Sequence, residues 1–251
     1  MIVVCSLLLV SAGKKLGSSV FEWENLPVRK NPYGSVRTIL KSPTRSLEMF
    51  EIKSVTLVGG ILMKEFKVSK GYDELIIIKE GTAEITVNGK RERLNEGSIA
   101  VASQGDAVQI LNASKTDLTF YSFRFKPWQN GNLLKNIRKA DPFFREWQDI
   151  EYKTNANGGR RDIMRQPTSL LKELEMHTTQ LKEGLPSHSA HTHPDEEIIL
   201  VRFGRVEETI QGKPFQCGPG SVIFLTNDDD HGISNAGIGP CEYYAIRWLT
   251  Y

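Results

Sequence analysis

The sequence predicts an all-β protein built as two small sandwiches or barrels in tandem. Three observations predict it. The chain repeats itself, each repeat is a series of short β-branched runs separated by glycine turns, and no stretch shows convincing helical periodicity. A length of 251 residues accommodates two domains of ordinary size, each with a core of its own.

The repeat comes first because it sets the domain organisation. FEWENLPV (21–28) returns as REWQDIEY (145–152), and Gly34, Arg37, Pro43 and Thr44 return as Gly158, Arg161, Pro167 and Thr168, all at an offset of 124. Further on the offset is 123: DELIIIKEGTAEITVNGK (73–90) matches EEIILVRFGRVEETIQGK (196–213), GSIAVASQGDAVQILNAS (97–114) matches GSVIFLTNDDDHGISNAG (220–237), and FYSFRF (120–125) matches YYAIRW (243–248). The one-residue change falls in a loop between Gly60/Gly184 and Val68/His191. The predicted organisation is a signal-like apolar segment (1–16), a first unit (17–128), a linker (129–142) and a second unit (143–251).

Within a unit the strand runs are ILMKEFKV, ELIIIKEG, AEITV and SIAVAS. Asn88-Gly89, matched by Gln211-Gly212, predicts a two-residue hairpin turn. Residues 2–10 (IVVCSLLLV) followed by Ser11-Ala12-Gly13 resemble an export signal without its basic start, and the run is too short to span a bilayer. A periplasmic or exported protein is expected if this is a signal, and a cytoplasmic one otherwise. The linker stretch LLKNIRKAD reads as a helical turn. Three cysteines (Cys5, Cys217, Cys241) without a CxxC spacing argue against a disulfide framework or a cysteine zinc site, and Cys217 and Cys241 read as partly buried thiols. A net charge of +2 and the lack of a basic stripe with interleaved aromatics argue against a nucleic-acid partner.

Four of the five histidines lie in two stretches of the second unit: Gly184-Leu-Pro-Ser-His188-Ser-Ala-His191-Thr-His193-Pro-Asp-Glu-Glu197, with Gly204 beyond it, and Gly220 through His231 to Asn235. Residues two apart on a strand share a face, so His191 and His193 are expected to aim together into one interior. Glu197 opens the next strand, and His231 opens a third after the NDDD turn. Three imidazoles and a carboxylate converging on one point suit a divalent transition metal: iron, manganese, nickel, zinc, cobalt or copper. One such ion per chain is expected.

The spacing GX6HXHX3EX6G followed by PGX10HX3N resembles the two motifs of the cupin superfamily, and the likeness extends over both units after residue 20. The sequence departs from the usual first motif by one extra residue between Gly184 and His191. It also lacks the usual proline shortly before His231. Neither departure touches a ligand position. The resemblance implies two tandem double-stranded β-helix (cupin/jelly-roll) barrels of the cupin-2 type, with His191, His193, Glu197 and His231 as metal ligands. It permits dioxygenation, isomerisation, decarboxylation and aminohydrolysis, and selects none of them.

The first unit is an internal control. Glu74, Gly81 and Asn112 match Glu197, Gly204 and Asn235, but the three histidine positions hold Val68, Lys70 and Val108, so no metal is expected there. Tyr121/Tyr244, Arg124/Arg247 and Arg37/Arg161 occur in both units, which assigns them to packing rather than chemistry. The acidic run Asp228-Asp229-Asp230 reads as a solvated turn, His177 as a strand histidine facing solvent, and Glu196 and Asp195 as turn residues beside a ligand. His188 is the one candidate acid–base residue outside the ligand set. No nucleophile elbow, P-loop or dinucleotide fingerprint occurs. Two functions follow: a metal-dependent enzyme for a small polar metabolite (dioxygenase, isomerase or aminohydrolase), or a non-catalytic bicupin that binds a small molecule, in a monomer or a homodimer.

Overall fold

The structure, a computed structural model, describes residues 14–128 and 139–251. The apolar run 2–10, Cys5 and most of the linker lie outside the described residues. The first unit contains β1 (Ser19–Phe21), β2 (Val28–Asn31), β3 (Gly34–Ser42), β4 (Leu47–Leu57), β5 (Phe66–Lys67), β6 (Asp73–Glu80), β7 (Thr82–Val87), β8 (Lys90–Asn95), β9 (Ile99–Ser103), β10 (Ala107–Leu111) and β11 (Leu118–Pro127). The second contains β12 (Phe143–Arg145), β13 (Lys153–Asn155), β14 (Gly158–Gln166), β15 (Glu173–Leu181), β16 (Glu196–Phe203), β17 (Val206–Ile210), β18 (Lys213–Cys217), β19 (Val222–Leu225), β20 (His231–Asn235) and β21 (Cys241–Leu249). Two short 3-10 turns, Trp23–Asn25 and Trp147–Asp149, are the helical elements among the described residues.

The hairpins form where turn chemistry allows them. Asn88 and Gly89 have φ of 51° and 83°, and Gln211 and Gly212 have 48° and 73°. Both pairs thus adopt the left-handed conformation that two-residue hairpin loops need. They join β7 to β8 and β17 to β18 in register, Val87 opposite Lys90 and Ile210 opposite Lys213.

Each barrel is one large and one small sheet. The large sheets have seven strands, in the order β12-β9-β6-β11-β4-β3-β2 and β1-β19-β16-β21-β15-β14-β13. The small sheets are β5-β10-β7-β8 and β18-β17-β20. Three apolar clusters separate these layers. One fills the first barrel (Val68, Ile76, Ile78, Ile85, Val108), one fills the second (Ile199, Val201, Val206, Ile223, Tyr243), and the largest joins the two seven-stranded sheets face to face. At its centre Phe50 packs 5.0 Å from both Phe125 and Trp248. Strands β6 and β16 are buried on both faces, which is why DELIII and EEIILV read as nearly continuous apolar runs after their acidic starts.

The units exchange their first strands. β1 pairs with β19 of the second unit, and β12 pairs with β9 of the first. The tryptophan after each exchanged strand docks on a glycine of the other unit. A Cβ on Gly220 (φ +88°) would lie 2.7 Å from Trp23, and one on Gly97 (φ +92°) would lie 2.5 Å from Trp147. The tryptophan amides donate to Ser221 Oγ (3.1 Å) and Ser98 Oγ (2.9 Å). Arg37 and Arg161 stack on Trp23 and Trp147 at 4.3 and 4.7 Å. Tyr244 Oη donates to the Gly97 carbonyl at 3.1 Å. The paired arginines and tyrosines thus do have packing roles.

A second reciprocal contact explains the repeated Pro-Thr. Thr168 Oγ1 and the Leu170 amide donate to the Asp73 carboxylate. In the mirror position Thr44 Oγ1 (2.8 Å), the Arg45 amide (2.8 Å) and both the amide and hydroxyl of Ser46 donate to Glu196. Glu196 is therefore no exposed turn residue: it is buried and grips the other unit. Glu196→Ala leaves these donors unpaired and is expected to cost roughly 2–4 kcal/mol. Chemical denaturation should show that loss, while metal content stays unchanged.

Candidate metal centre

The site sits where β16, β20 and the segment before β16 meet. Sheet periodicity separates the two adjacent glutamates of β16: Ile198 and Leu200, in step with Glu196, belong to the inter-barrel cluster, whereas Ile199 and Val201, in step with Glu197, face the barrel interior. His231 is the first residue of β20, and its side chain falls in step with buried Ile233 and Asn235.

His191 and His193 reach the site differently from the expectation. They do not lie on one strand. His191 forms an isolated bridge, exchanging two backbone hydrogen bonds of 3.0 Å with His231, and His193 follows in irregular chain. The loop converges the rings all the same. Ligand atoms of His191, His193 and His231 lie within 4.8 Å of one another. Ring centroids are 5.5 Å (His191–His193), 4.9 Å (His191–His231) and 4.8 Å (His193–His231) apart. Glu197 Oε2 is 3.0 Å from His193 Nε2 and 3.5 Å from His231 Nε2.

Backbone carbonyls fix the ring orientations. His193 Nδ1 lies 2.9 Å from the Asp195 carbonyl, and His231 Nδ1 lies 2.9 Å from the Asp229 carbonyl. A carbonyl only accepts, so each Nδ1 carries the proton and each Nε2 presents a lone pair to the centre. For His193 this puts a lone-pair nitrogen against a carboxylate oxygen, a contact that needs a second proton or a cation between them. His231 Nε2 is buried with no hydrogen-bond partner. The donor set and the orphaned nitrogen both suit a metal ion.

The acidic turn serves this arrangement. Asp228 (φ 69°) donates its amide to the His193 carbonyl at 3.1 Å, and the Asp229 carbonyl holds His231. The carboxylates are engaged elsewhere: Asp228 with Arg45, Asp229 with Ser18 and Gln211.

Other sequence candidates divide. His188 is exposed at the rim, its ring edge-on to His191 with centroids 4.3 Å apart, and its Nδ1 lies 2.9 Å from the Ser189 carbonyl. His177 does not face solvent: it is buried and pairs with Glu175 at 2.7 Å, in a network with Arg247 that the first barrel repeats as Glu51 with Arg124. Cys217 and Cys241 are buried free thiols, pushed by burial up to about 12 and about 11.

Sequence reasoning missed Glu208. It is 1% exposed on β17, in step with Val206 and Ile210, and so points into the barrel interior. Burial, reinforced by the charge of Glu197, pushes its carboxyl up to about 8 against the opposing pull of His231. The signal was available, because the repeat aligns Glu208 with Ile85, an inside position of the first barrel.

That barrel shows the same scaffold without the centre. Val68 and Val108 are buried in its apolar cluster, Lys70 is exposed, and Glu74 accepts a hydrogen bond of 2.7 Å from Ser122 where the second barrel has Ala245.

Burial opposes charge on Glu197, but the hydrogen bond with His193 and the nearby charge of protonated His193 and His231 outweigh it and hold its carboxyl at about 2, below the ordinary 4.5. In metal-free protein this contributes stability that is present above pH 4.5 and lost as pH falls towards 2. Denaturation in that window should show metal-free Glu197→Gln losing stability less steeply than the wild type.

Comparison with known proteins agrees with the geometry. Residues 177–247 match the cupin domain family model, Cupin_2. No curated protein sequence gives a significant match. Among solved structures, protein Ylba from E. coli aligns at 15% identity and a TM-score of 0.70, covering 96% of this chain and 96% of its own. The oxalate decarboxylase of Lactobacillus farciminis, in a formate complex, aligns at 13% identity and a TM-score of 0.72, covering 95% of this chain and 88% of its own. A variant of the Bacillus subtilis oxalate decarboxylase OxdC aligns at 13% identity and a TM-score of 0.73, covering 95% of this chain and 79% of its own. At such identities the likeness is one of fold. The second unit thus matches the cupin domain model, and the chain as a whole has the fold of two tandem double-stranded β-helix barrels that these solved structures share.

Proposed function

We propose that the second barrel holds one divalent transition metal per chain on His191, His193, Glu197 and His231, and that the site is enzymatic, acting on a small polar metabolite by oxygenase, isomerase or aminohydrolase chemistry. The observation that carries this reading is the orphaned His231 Nε2, turned towards Glu197 and the two other histidines by the Asp229 carbonyl. Such an ion would polarise a ligand oxygen as a Lewis acid, or activate water or dioxygen.

The chain's own residues divide the remaining work. Glu197 supplies the negative charge that offsets the cation. The carbonyls of Asp195 and Asp229 hold the His193 and His231 imidazoles in one tautomer, so that little reorganisation of those two rings accompanies binding. His188, exposed beside His191, is placed to exchange protons with solvent. Two structural neighbours are oxalate decarboxylases, one with formate bound, so small carboxylates are the first ligand class to test.

Elemental mass spectrometry of the purified protein should find about one equivalent of metal, and His231→Ala or His191→Ala should remove most of it. Full occupancy in either variant would sink the ligand assignment. Iron would direct substrate screening to oxygen-dependent reactions; manganese, nickel or zinc would direct it to non-redox ones. A metal-loaded protein that returns every bound ligand unchanged would leave the non-catalytic binding reading.

A further inference from the structure

We propose that Glu208 is the ligand-binding carboxyl of the second barrel, exchanging a hydrogen bond with a hydroxyl or amino group of the small molecule seated against the three histidines. This inference rests on the reading of that barrel as a metal centre.

The first argument is a comparison among buried acids. Nine carboxylates are buried among the described residues: Glu51, Asp73, Glu74, Asp106, Glu175, Glu196, Glu197, Glu208 and Glu242. Eight have partners. Glu51 meets Arg124, Asp73 meets Thr168, Glu74 meets Ser122, and Asp106 accepts from the Ser103 amide and Asn88. Glu175 meets Arg247, Glu196 meets Thr44, Glu197 meets His193 and Glu242 meets Arg202. Glu208 alone has both oxygens buried and neither hydrogen-bonded. A buried carboxyl without a partner is among the costlier arrangements in a folded protein, and an unsatisfied one calls for a reason.

The second argument is position. β17 pairs antiparallel with β20, with Glu208 opposite Ile233 and Ile210 opposite His231. Glu208 therefore lies diagonally from His231 on the interior face of one small sheet. No other residue of β17 offers an interior polar atom, since Val206 and Ile210 share that face.

The third argument is the repeat. The first barrel, which lacks the histidines, has fully buried Ile85 at this position and Phe120 where the second has buried Tyr243. The scaffold thus accepts an apolar side chain at the Glu208 position without loss of the fold. The carboxyl occurs in the barrel that has the histidine cluster and not in the other.

The group proposed fits a small molecule that carries a donor beside a metal-facing oxygen, such as a hydroxy acid, a sugar acid or an amino amide. Glycolate and acetate are suitable probes because they differ by one hydroxyl. The full chain and Glu208→Ile, both loaded with cobalt(II), would be titrated with each acid by isothermal calorimetry. Metal content and Tm would be measured on the same samples. The expected result has three parts: Glu208→Ile retains its cobalt, its Tm rises because an unpartnered polar group is replaced by the first barrel's own residue, and its preference for glycolate over acetate falls by about tenfold or more. Glu208→Gln, which keeps the shape and one acceptor oxygen, should retain more of the preference and checks that the loss is not a misfolded barrel. An unchanged glycolate preference in Glu208→Ile overturns the proposal. Loss of cobalt from that variant overturns it too, by making Glu208 part of the metal's own support. A wild type that takes up no cobalt instead fails the metal reading itself, and this inference with it.

Discussion

The second barrel depends on β16 running through a sheet that is buried on both faces. In a strand so placed, neighbouring side chains enter different worlds. Glu196 reaches across to the other unit and holds its Thr44–Ser46 loop, while Glu197, one residue on, enters the barrel and faces the histidines. Both carboxylates are buried, and each is acceptable only because partners await it on its own side: backbone and hydroxyl donors for Glu196, and the histidine cluster for Glu197. A register slip of one residue would exchange them and lose both the clamp and the centre. The histidine cluster and the union of the two units are in this sense one structural decision.

The first barrel shows what the scaffold keeps when chemistry is absent. Its Asn112 ties the Leu57 and Thr116 carbonyls together, as Asn235 ties Leu181 and Gly239. Its Asp73 clamp, its Trp147 dock and its Glu51–Arg124 pair all have counterparts in the second unit. These shared features are architecture. What differs lies inside: valines replace His191 and His231, isoleucine replaces Glu208, phenylalanine replaces Tyr243, and Ser122 supplies the partner that Glu74 would otherwise lack. The first barrel is packed like an ordinary core, whereas the second keeps polar groups whose cost is offset only by one another or by what they bind.

The exchange of first strands ties this division together. Each unit completes the large sheet of the other, and each tryptophan that follows fills a space that only a glycine leaves open. The first unit therefore contributes directly to the sheet that carries Glu197, by way of β1 on β19 and β19 on β16. Ser18 extends the same support, accepting from the Thr226 amide and donating to Asp229 at the turn that orients His231.

Much of this was legible in the sequence. The repeat, the hairpin dipeptides and the β-branched runs determined an all-β duplicated fold, because strand period and turn chemistry are local properties. The spacing of His191, His193, Glu197 and His231 marked the candidate site, and the degenerate repeat marked which residues are scaffold. Tertiary structure alone decided the rest. It placed His191 and His193 on a bridged loop rather than a strand, buried His177 against Glu175, turned Glu196 into an inter-unit clamp, and left Glu208 without a partner inside the barrel. The reason is physical. Periodicity tells which side chains share a face, but what lies opposite that face, whether solvent, a second sheet or an unfilled polar interior, is set by distant segments that meet only when the chain folds.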